Sequence, residues 1–184
     1  SLLGIHIASQ SCLNFEVIPK KIEDKGGGLA IINGKIVLIE GLALPREEDE
    51  FRLTYYNTLS NWITIDSLLE FFKLDRELIL RSENKMGNNN KILKAIQNIE
   101  KRMPTYVTIK NVKYLWGNGQ EDVYPVAQFE KLWGDMSSLN ELKVSYVAVS
   151  RFRGQQLKKP SQLYSWMADG SFNYIKDKIS FHNN

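Results

Sequence analysis

The sequence KGGGLA at residues 25–30 is followed by IINGKIVLIE at residues 31–40, and these two stretches decide the fold of the first part of the chain. Three consecutive glycines let a backbone pass close to a bulky group, because no Cβ stands in the way and unusual φ angles are accessible. An Asn-Gly pair between apolar runs is the strongest short-range signal for a β-hairpin. We therefore predict strands over 28–33 and 35–40, with Glu40 at a site wall. A glycine-rich surface turn with a solvated glutamate is the simpler alternative.

The composition is that of an ordinary globular protein. The 184 residues are 43% hydrophobic and 24% charged, enough for one domain, or a large piece of one, with a substantial core. The apolar runs are too short to span a bilayer, and the first residues lack the basic segment of a signal peptide. Cys12 is the only cysteine, which excludes a disulfide framework and a thiolate metal cluster. We expect a cytoplasmic protein without a membrane partner.

The charge pattern argues against nucleic-acid binding. The net charge of +3 and the isoelectric point near 8.8 are only mildly basic. The basic residues fall in short separate clusters, and a nucleic-acid surface is usually more contiguous and interleaved with aromatic residues. The cluster between Arg151 and Lys159 is more typical of a local anion site, while the other clusters are read as solvated surface.

Periodicity predicts strands that alternate with helices. Strand patterns cover 14–18, 28–33, 35–40, 53–56, 105–109 and 143–149, and helical patterns cover 65–72, 75–82, 91–101, 122–133 and 160–167. Residues 57–61 are predicted as a turn. Such alternation indicates an α/β domain with a mostly parallel sheet and flanking helices, which the hairpin makes mixed.

Six motifs along the chain carry a family resemblance. They are KGGGLA, INGKIVLIEGLALP, YYNTLSNW, MPTYVTIKN, AQFEKLWG and VSRFRGQQLKKPSQLYSWMAD, in that order between about residues 25 and 169. The ordered set resembles the UDP-sugar pyrophosphorylases, the UTP–hexose-1-phosphate uridylyltransferases of the UDP-glucose type. The resemblance implies a Rossmann-like fold of the nucleotide-diphospho-sugar transferase kind. It also implies UTP and a sugar 1-phosphate as partners, with a UDP-sugar and pyrophosphate as products.

The resemblance covers only part of such an enzyme. Residues 1–184 are expected to form a single partial catalytic domain, the sugar-binding half, because the family's glycine-rich UTP loop and its C-terminal β-helix have no counterpart here. Mg²⁺ is expected for the full enzyme, with its ligands outside this chain and no metal site within it. The isolated chain is expected to be inactive and to self-associate through an exposed sheet edge. A catalytically silent relative that binds a sugar phosphate or a protein is the alternative.

Three basic residues are the candidates for handling phosphate. Lys158, in LKKPSQL at 157–163, matches the lysine of the family's V-K-T-x-x-D-L, which reaches the phosphates. Arg151 and Arg153 match the two arginines of P-R-x-R-F, and a guanidinium can grip a phosphate in two places. The alternatives are a solvated lysine, and arginines that brace the loop through salt bridges. The family's F-x-P-V is replaced here by residues 154–157, so we expect this loop to be placed differently from that of the family.

The remaining candidates are assigned to sugar binding. Glu40 matches the hexose-binding glutamate, and Asn57 with Thr58 matches the start of the family's F-N-T-N. The family's second asparagine is a leucine here, so one polar contact is missing or is supplied from nearby. Gly26 and Gly27 match the pair near the sugar. If the resemblance holds, Glu40, Asn57 and Lys158 should converge on one cleft with the two glycines beside them.

Overall fold

The computed structural model describes residues 1–81 and 86–179. Strands and helices occur in consecutive groups along the chain, and short 3₁₀ turns occur at Gly41–Ala43, Glu47–Arg52, Trp133–Ser138 and Arg151–Arg153. The strands are β1 (Leu13–Pro19), β2 (Gly28–Ile32), β3 (Lys35–Ile39), β4 (Tyr55–Ile63), β5 (Tyr106–Leu115), β6 (Glu121–Glu130) and β7 (Val144–Ala148). The helices are α1 (Leu2–Ser9), α2 (Ile65–Phe71), α3 (Arg76–Leu80), α4 (Met86–Glu100), α5 (Pro160–Ala168) and α6 (Ser171–Lys176).

Strand β1 is the centre of the main sheet, whose order is β3-β2-β4-β1-β7. It is buried on both faces from Leu13 to Ile18, because strands flank it on both sides and further elements cover it. The core that it shares with the hairpin, α4 and the turn at 133–138 contains Cys12, Leu13, Phe15, Leu38, Ile99, Met136, Leu139 and Leu142. The α/β class with a mixed sheet is confirmed.

The prediction of a mostly parallel sheet is wrong. Among the described residues, the pairing of β1 with β7 is the one parallel pairing, and the other pairings are antiparallel. A parallel pair needs a long crossover, whereas an antiparallel pair can be joined by a tight turn. Strands β1 to β4 follow one another without an intervening α-helix, so no helical crossover joins them, and the pairings among them are antiparallel.

The hairpin predicted around Asn33 and Gly34 is confirmed. Strands β2 and β3 pair antiparallel from Gly28 opposite Ile39 to Ile32 opposite Lys35. Asn33 and Gly34 have φ angles of 51° and 76°, as expected when both central residues of the turn have positive φ. The edge of β3 is partly covered, because the Ser137 hydroxyl accepts a hydrogen bond from the Leu38 N–H at 2.8 Å.

The helix predicted over 122–133 is wrong. Most of these residues belong to β6, which ends at Glu130 and pairs with β5 in a separate two-stranded ribbon. Pro125 would break a helix interior, but it is tolerated in a ribbon whose strands each have a free edge. The turn at residues 116–120 contains Asn118 and Gly119, the same dipeptide that marks the first hairpin, and Gly119 has a φ of 85°. That signal could have identified the ribbon.

The turn predicted over 57–61 is wrong as well, although its local chemistry is present. Strand β4 continues through these residues and bulges, so that the register moves from Phe15 opposite Asn61 to Val17 opposite Asn57. The Asn57 Oδ1 accepts the Leu59 N–H at 3.0 Å, and the Thr58 hydroxyl accepts the Ser60 N–H at 3.2 Å. Turn-forming side chains therefore shape a β-bulge inside the strand.

Replacing Leu59 by asparagine should stabilise the protein. Leu59 has a φ of 64°, a left-handed backbone conformation that leucine disfavours. Its side chain is 72% exposed, so packing contributes little to offset this strain. Asparagine tolerates this conformation better, and the free energy of unfolding should rise by roughly 0.5–1 kcal/mol in urea denaturation. Leu157→Asn is the control, since Leu157 is exposed at 56% without a positive φ. Equal effects of the two substitutions would contradict the argument.

No helix among the described residues is long and apolar enough to cross a membrane.

Candidate functional site

A cleft of about 430 Å³ lies between the bulge of β4 and the loop at residues 153–158. Four of the residues predicted from the sequence line it, namely Asn57, Thr58, Arg153 and Lys158. Asn57 comes from the bulge, where its Oδ1 is already bonded to the Leu59 N–H, so its amide nitrogen is the group it can offer to a ligand. The bulge thus turns a strand segment into one wall of the cleft.

Lys158 lies in the opposite wall of the cleft, beside residues 25–28, which we call the glycine segment. Its backbone N–H donates to the Gln162 Oε1 at 2.5 Å, which fixes the start of α5. Its ammonium donates to the backbone carbonyl of Lys25 at 3.4 Å, while the side chain stays exposed. A flexible ammonium group of this kind can swing toward a bound phosphate.

The glycine segment requires glycine for steric reasons. A Cβ at Gly26 would stand 2.9 Å from the Tyr56 ring, and Gly26 has a φ of 146°. A Cβ at Gly27 would stand 2.4 Å from the Ile39 carbonyl oxygen and 2.9 Å from the Glu40 Oε2. The Gly27 carbonyl accepts the Asn57 N–H at 3.0 Å, so the segment joins the bulge of β4 to Glu40.

Glu40 lies behind this segment and is not among the residues that line the cleft. Its carboxylate is held between Gly27 and Gly134, since a Cβ at Gly134 would stand 2.1 Å from its Oε1. Burial raises the pKa of Glu40, and the neighbouring charge of Asp135 raises it further, while a hydrogen bond from the Gly134 backbone lowers it. Glu40 therefore lies against Gly27 outside the cleft, and of the three residues predicted to converge only Asn57 and Lys158 line it. Gly26 and Gly27 are not among the lining residues either.

The two arginines are placed differently. Arg151 forms a buried pair with Asp24, whose side chain has no exposed surface, and it also donates to the Pro19 carbonyl oxygen at 3.3 Å. Arg153 lines the cleft and its Nε donates to the Glu16 Oε2 at 3.1 Å. Half of its side chain stays exposed, which leaves further N–H groups for an anion.

Two glutamines that were not predicted from the sequence attach the altered loop, residues 154–157, to the rest of the protein. The Gln156 amide donates to the Lys25 carbonyl oxygen at 3.2 Å and to the Tyr56 hydroxyl. The Gln155 amide donates to the Arg151 carbonyl oxygen at 3.1 Å and to the Ser171 hydroxyl at 2.6 Å. No sequence signal could have identified them. The Lys25, Tyr56 and Ser171 partners are more than ten residues away in the chain, and Arg151 is on the same irregular loop.

The cleft combines the Asn57 amide with two cationic side chains, those of Arg153 and Lys158. Lys158 and Arg153 can neutralise an anion, and the Asn57 amide can donate to a hydroxyl group. The Glu16 carboxylate, bound to Arg153, reduces the local positive charge. A phosphate ester of a polar molecule is the ligand class that suits this set of groups.

Solved structures similar to the chain include a UDP-glucose phosphorylase from Trypanosoma brucei, at 22% identity and a TM-score of 0.54. Two variants of UDP-glucose pyrophosphorylase from Leishmania major, one of them in complex with UDP-glucose, follow at 18% and 19% identity with TM-scores of 0.53 and 0.50. Each match covers 88% of this chain and 31% or 32% of the other chain. No family model and no curated protein matches the sequence.

These likenesses show the fold. The described part of the chain has the α/β fold of a part of the UDP-glucose pyrophosphorylases, and the resemblance carried by the six motifs is confirmed at that level. The chain spans about a third of the length of the proteins it matches.

Proposed function

We propose that residues 1–184 form the sugar-binding half of the catalytic domain of a UTP–hexose-1-phosphate uridylyltransferase. The observation that carries this proposal is that two residues lining the cleft, Asn57 and Lys158, are hydrogen-bonded to the backbone of the glycine segment. The Asn57 backbone N–H donates to the Gly27 carbonyl oxygen, and the Lys158 ammonium donates to the Lys25 carbonyl oxygen two residues earlier. Residues far apart in the sequence are thereby joined around one short piece of backbone.

The roles follow from the chemistry of each group. Lys158 meets the phosphate of the sugar phosphate, and Arg153 assists from the floor of the cleft. Asn57 and Thr58 bind sugar hydroxyls, and Glu40 does so beside Gly27. Arg151 has a structural role in this proposal, because its guanidinium is bound to a buried carboxylate and lies outside the cleft lining.

The reaction proposed for the whole protein is attack of the sugar phosphate oxygen on the α-phosphorus of UTP, with pyrophosphate leaving. Such a transfer depends on positioning and on positive charge around the phosphates. Mg²⁺ belongs to the proposal for the whole protein. Among the residues that the structure describes, no three His, Cys, Asp or Glu side chains lie close enough together to hold a metal ion.

The chain alone should bind glucose 1-phosphate yet form no UDP-glucose from it and UTP. In this proposal the cleft supplies contacts for the phosphate and the sugar, but the family's glycine-rich UTP loop, which would cradle the nucleotide phosphates, has no counterpart in the sequence. Amide chemical-shift changes on titration with glucose 1-phosphate, at Asn57 and Lys158 above all, would measure binding, and a pyrophosphate-release assay would measure turnover. Glucose at the same concentrations is the control, and it should shift these amides much less. An absence of shifts would contradict the proposed site, and turnover by this chain would contradict the fragment argument.

A silent relative is the second candidate. Two observations favour it: the apolar Leu59 lines the cleft, and Arg151 is paired with Asp24 and does not line the cleft. A longer protein that binds glucose 1-phosphate without making UDP-glucose would support this alternative. Self-association is part of the proposal as well, through the outer edge of β7, which ends the sheet in the described part of the chain.

A further inference from the structure

A buried carboxylate at the centre of the main sheet lines the cleft and was not predicted from the sequence as a site residue. Glu16 lies in the middle of β1, between β4 and β7, and is 3% exposed. Glutamate is rarely buried to this extent unless it is paired. Its partner is Arg153, which also lines the cleft and whose Nε donates to the Glu16 Oε2 at 3.1 Å. The wall of the cleft therefore holds a negative and a positive group side by side.

The bulge of β4 lies directly opposite Glu16. The register of the two strands slips between Phe15 and Val17, so that three residues of β4, 58–60, face this one residue of β1. All three line the cleft together with Glu16. The Thr58 hydroxyl also donates to the Glu16 backbone carbonyl oxygen at 3.1 Å. The bulge thus opens the cleft at the position of the buried carboxylate.

The Glu16 carboxylate keeps an acceptor for a ligand. In the described part of the chain, the bond from Arg153 is the one hydrogen bond that its two oxygens accept, and Oε1 is not fully buried. A carboxylate accepts hydrogen bonds and repels an anion, so the ligand group beside it has to be a donor. The positive charge of Arg153 at the same place disfavours a cationic donor. A neutral hydroxyl group suits this position, because it can donate to Oε1 without carrying a charge.

We propose that Glu16 determines the specificity of the cleft for a phosphate ester that also carries a hydroxyl group. Its Oε1 accepts a hydroxyl of the sugar, while its Oε2 holds Arg153 in the wall. Lys158 and Arg153 alone would attract any phosphate, and the negative charge of Glu16 weakens that attraction. An ester with a hydroxyl group regains the loss through a charge-assisted hydrogen bond, whereas an ester without one does not. This inference rests on the proposed sugar-phosphate site and names the residue that rejects phosphate groups lacking a sugar.

The affinities for glucose 1-phosphate and methyl phosphate, measured by titration calorimetry, test this role. Both are mainly dianionic monoesters at pH 8, but methyl phosphate has no hydroxyl group. Glu16→Gln should bind methyl phosphate more tightly than the wild type does, because a negative charge beside Arg153 is gone. Its preference for glucose 1-phosphate, taken as the ratio of the two dissociation constants, should fall about fivefold, because an amide makes a weaker hydrogen bond to the hydroxyl than a carboxylate does. Glu141→Gln removes a carboxylate from the exposed pair with Arg102, outside the cleft lining, and should leave the ratio unchanged.

Equal changes of both dissociation constants in Glu16→Gln would overturn the proposal, since they would mean that Glu16 only holds Arg153 in place. The proposed function would then still stand. If the wild type binds neither ester, the proposed function fails together with this inference. If Glu16→Gln does not fold, ¹³C NMR of the wild type decides. The chemical shift of the Glu16 side-chain carboxyl carbon should move more with glucose 1-phosphate than with methyl phosphate, and equal movements would overturn the proposal.

Discussion

Replacing Asp24 by alanine should lower the free energy of unfolding by about 3–5 kcal/mol. The Asp24 side chain has no exposed surface, and its two oxygens meet both terminal nitrogens of Arg151. Removing the carboxylate leaves a guanidinium that is only 15% exposed without its counter-charge. It also removes the acceptor for the Lys21 N–H, at 2.8 Å, which closes the turn before the glycine segment. Urea denaturation followed by circular dichroism would measure the loss.

Two further variants separate the buried charge from the mere loss of a contact. Asp24→Ala combined with Arg151→Met removes both charges of this pair. The double variant should recover a large part of the stability lost in the single variant. Glu141→Ala breaks the exposed pair with Arg102 and should change the free energy of unfolding far less than Asp24→Ala does. A loss of similar size for Asp24→Ala and Glu141→Ala would show that the Arg151 pair does not brace the fold.

Replacing Lys158 by alanine should lower kcat by roughly 10²-fold in a longer protein that carries the nucleotide-binding segment. The ammonium is held near the Lys25 carbonyl oxygen, at the edge of the cleft where the phosphates would lie. An interaction that strengthens in the transition state acts on kcat, whereas Glu40→Ala should act through sugar binding and raise KM. Steady-state kinetics with UTP and glucose 1-phosphate would measure both.

The neighbouring Lys159 provides a matched control for this prediction. It carries the same charge one residue later and is also exposed, but it is not among the residues that line the cleft. Lys159→Ala should leave kcat within about twofold of the wild type, the scale of a surface substitution. Full activity of Lys158→Ala would show that the altered loop at 154–157 has removed this lysine from catalysis.

Local sequence determined the elements whose signals are local. The Asn33-Gly34 turn needs only residues that accept positive φ, and the apolar runs around it pair once the chain reverses. The helical spacing at 65–72 and 91–101 places apolar side chains on one face, and both segments are helices. The ordered motifs also determined the family resemblance, because that resemblance depends only on which residues occur and in what order.

Tertiary structure decided the features that depend on partners far along the chain. Residues 122–133 have helical spacing of apolar side chains. The ten residues Glu121–Glu130 are nevertheless a strand, because their backbone groups pair with those of β5. Arg151 and Arg153 are two residues apart, yet one is buried against Asp24 and the other lines the cleft. Glu40 and Asp135 are neighbours only because the turn at 133–138 packs against β3. The sequence determined the chemical groups and their local geometry, and burial against distant partners decided which of those groups carry charge into the cleft.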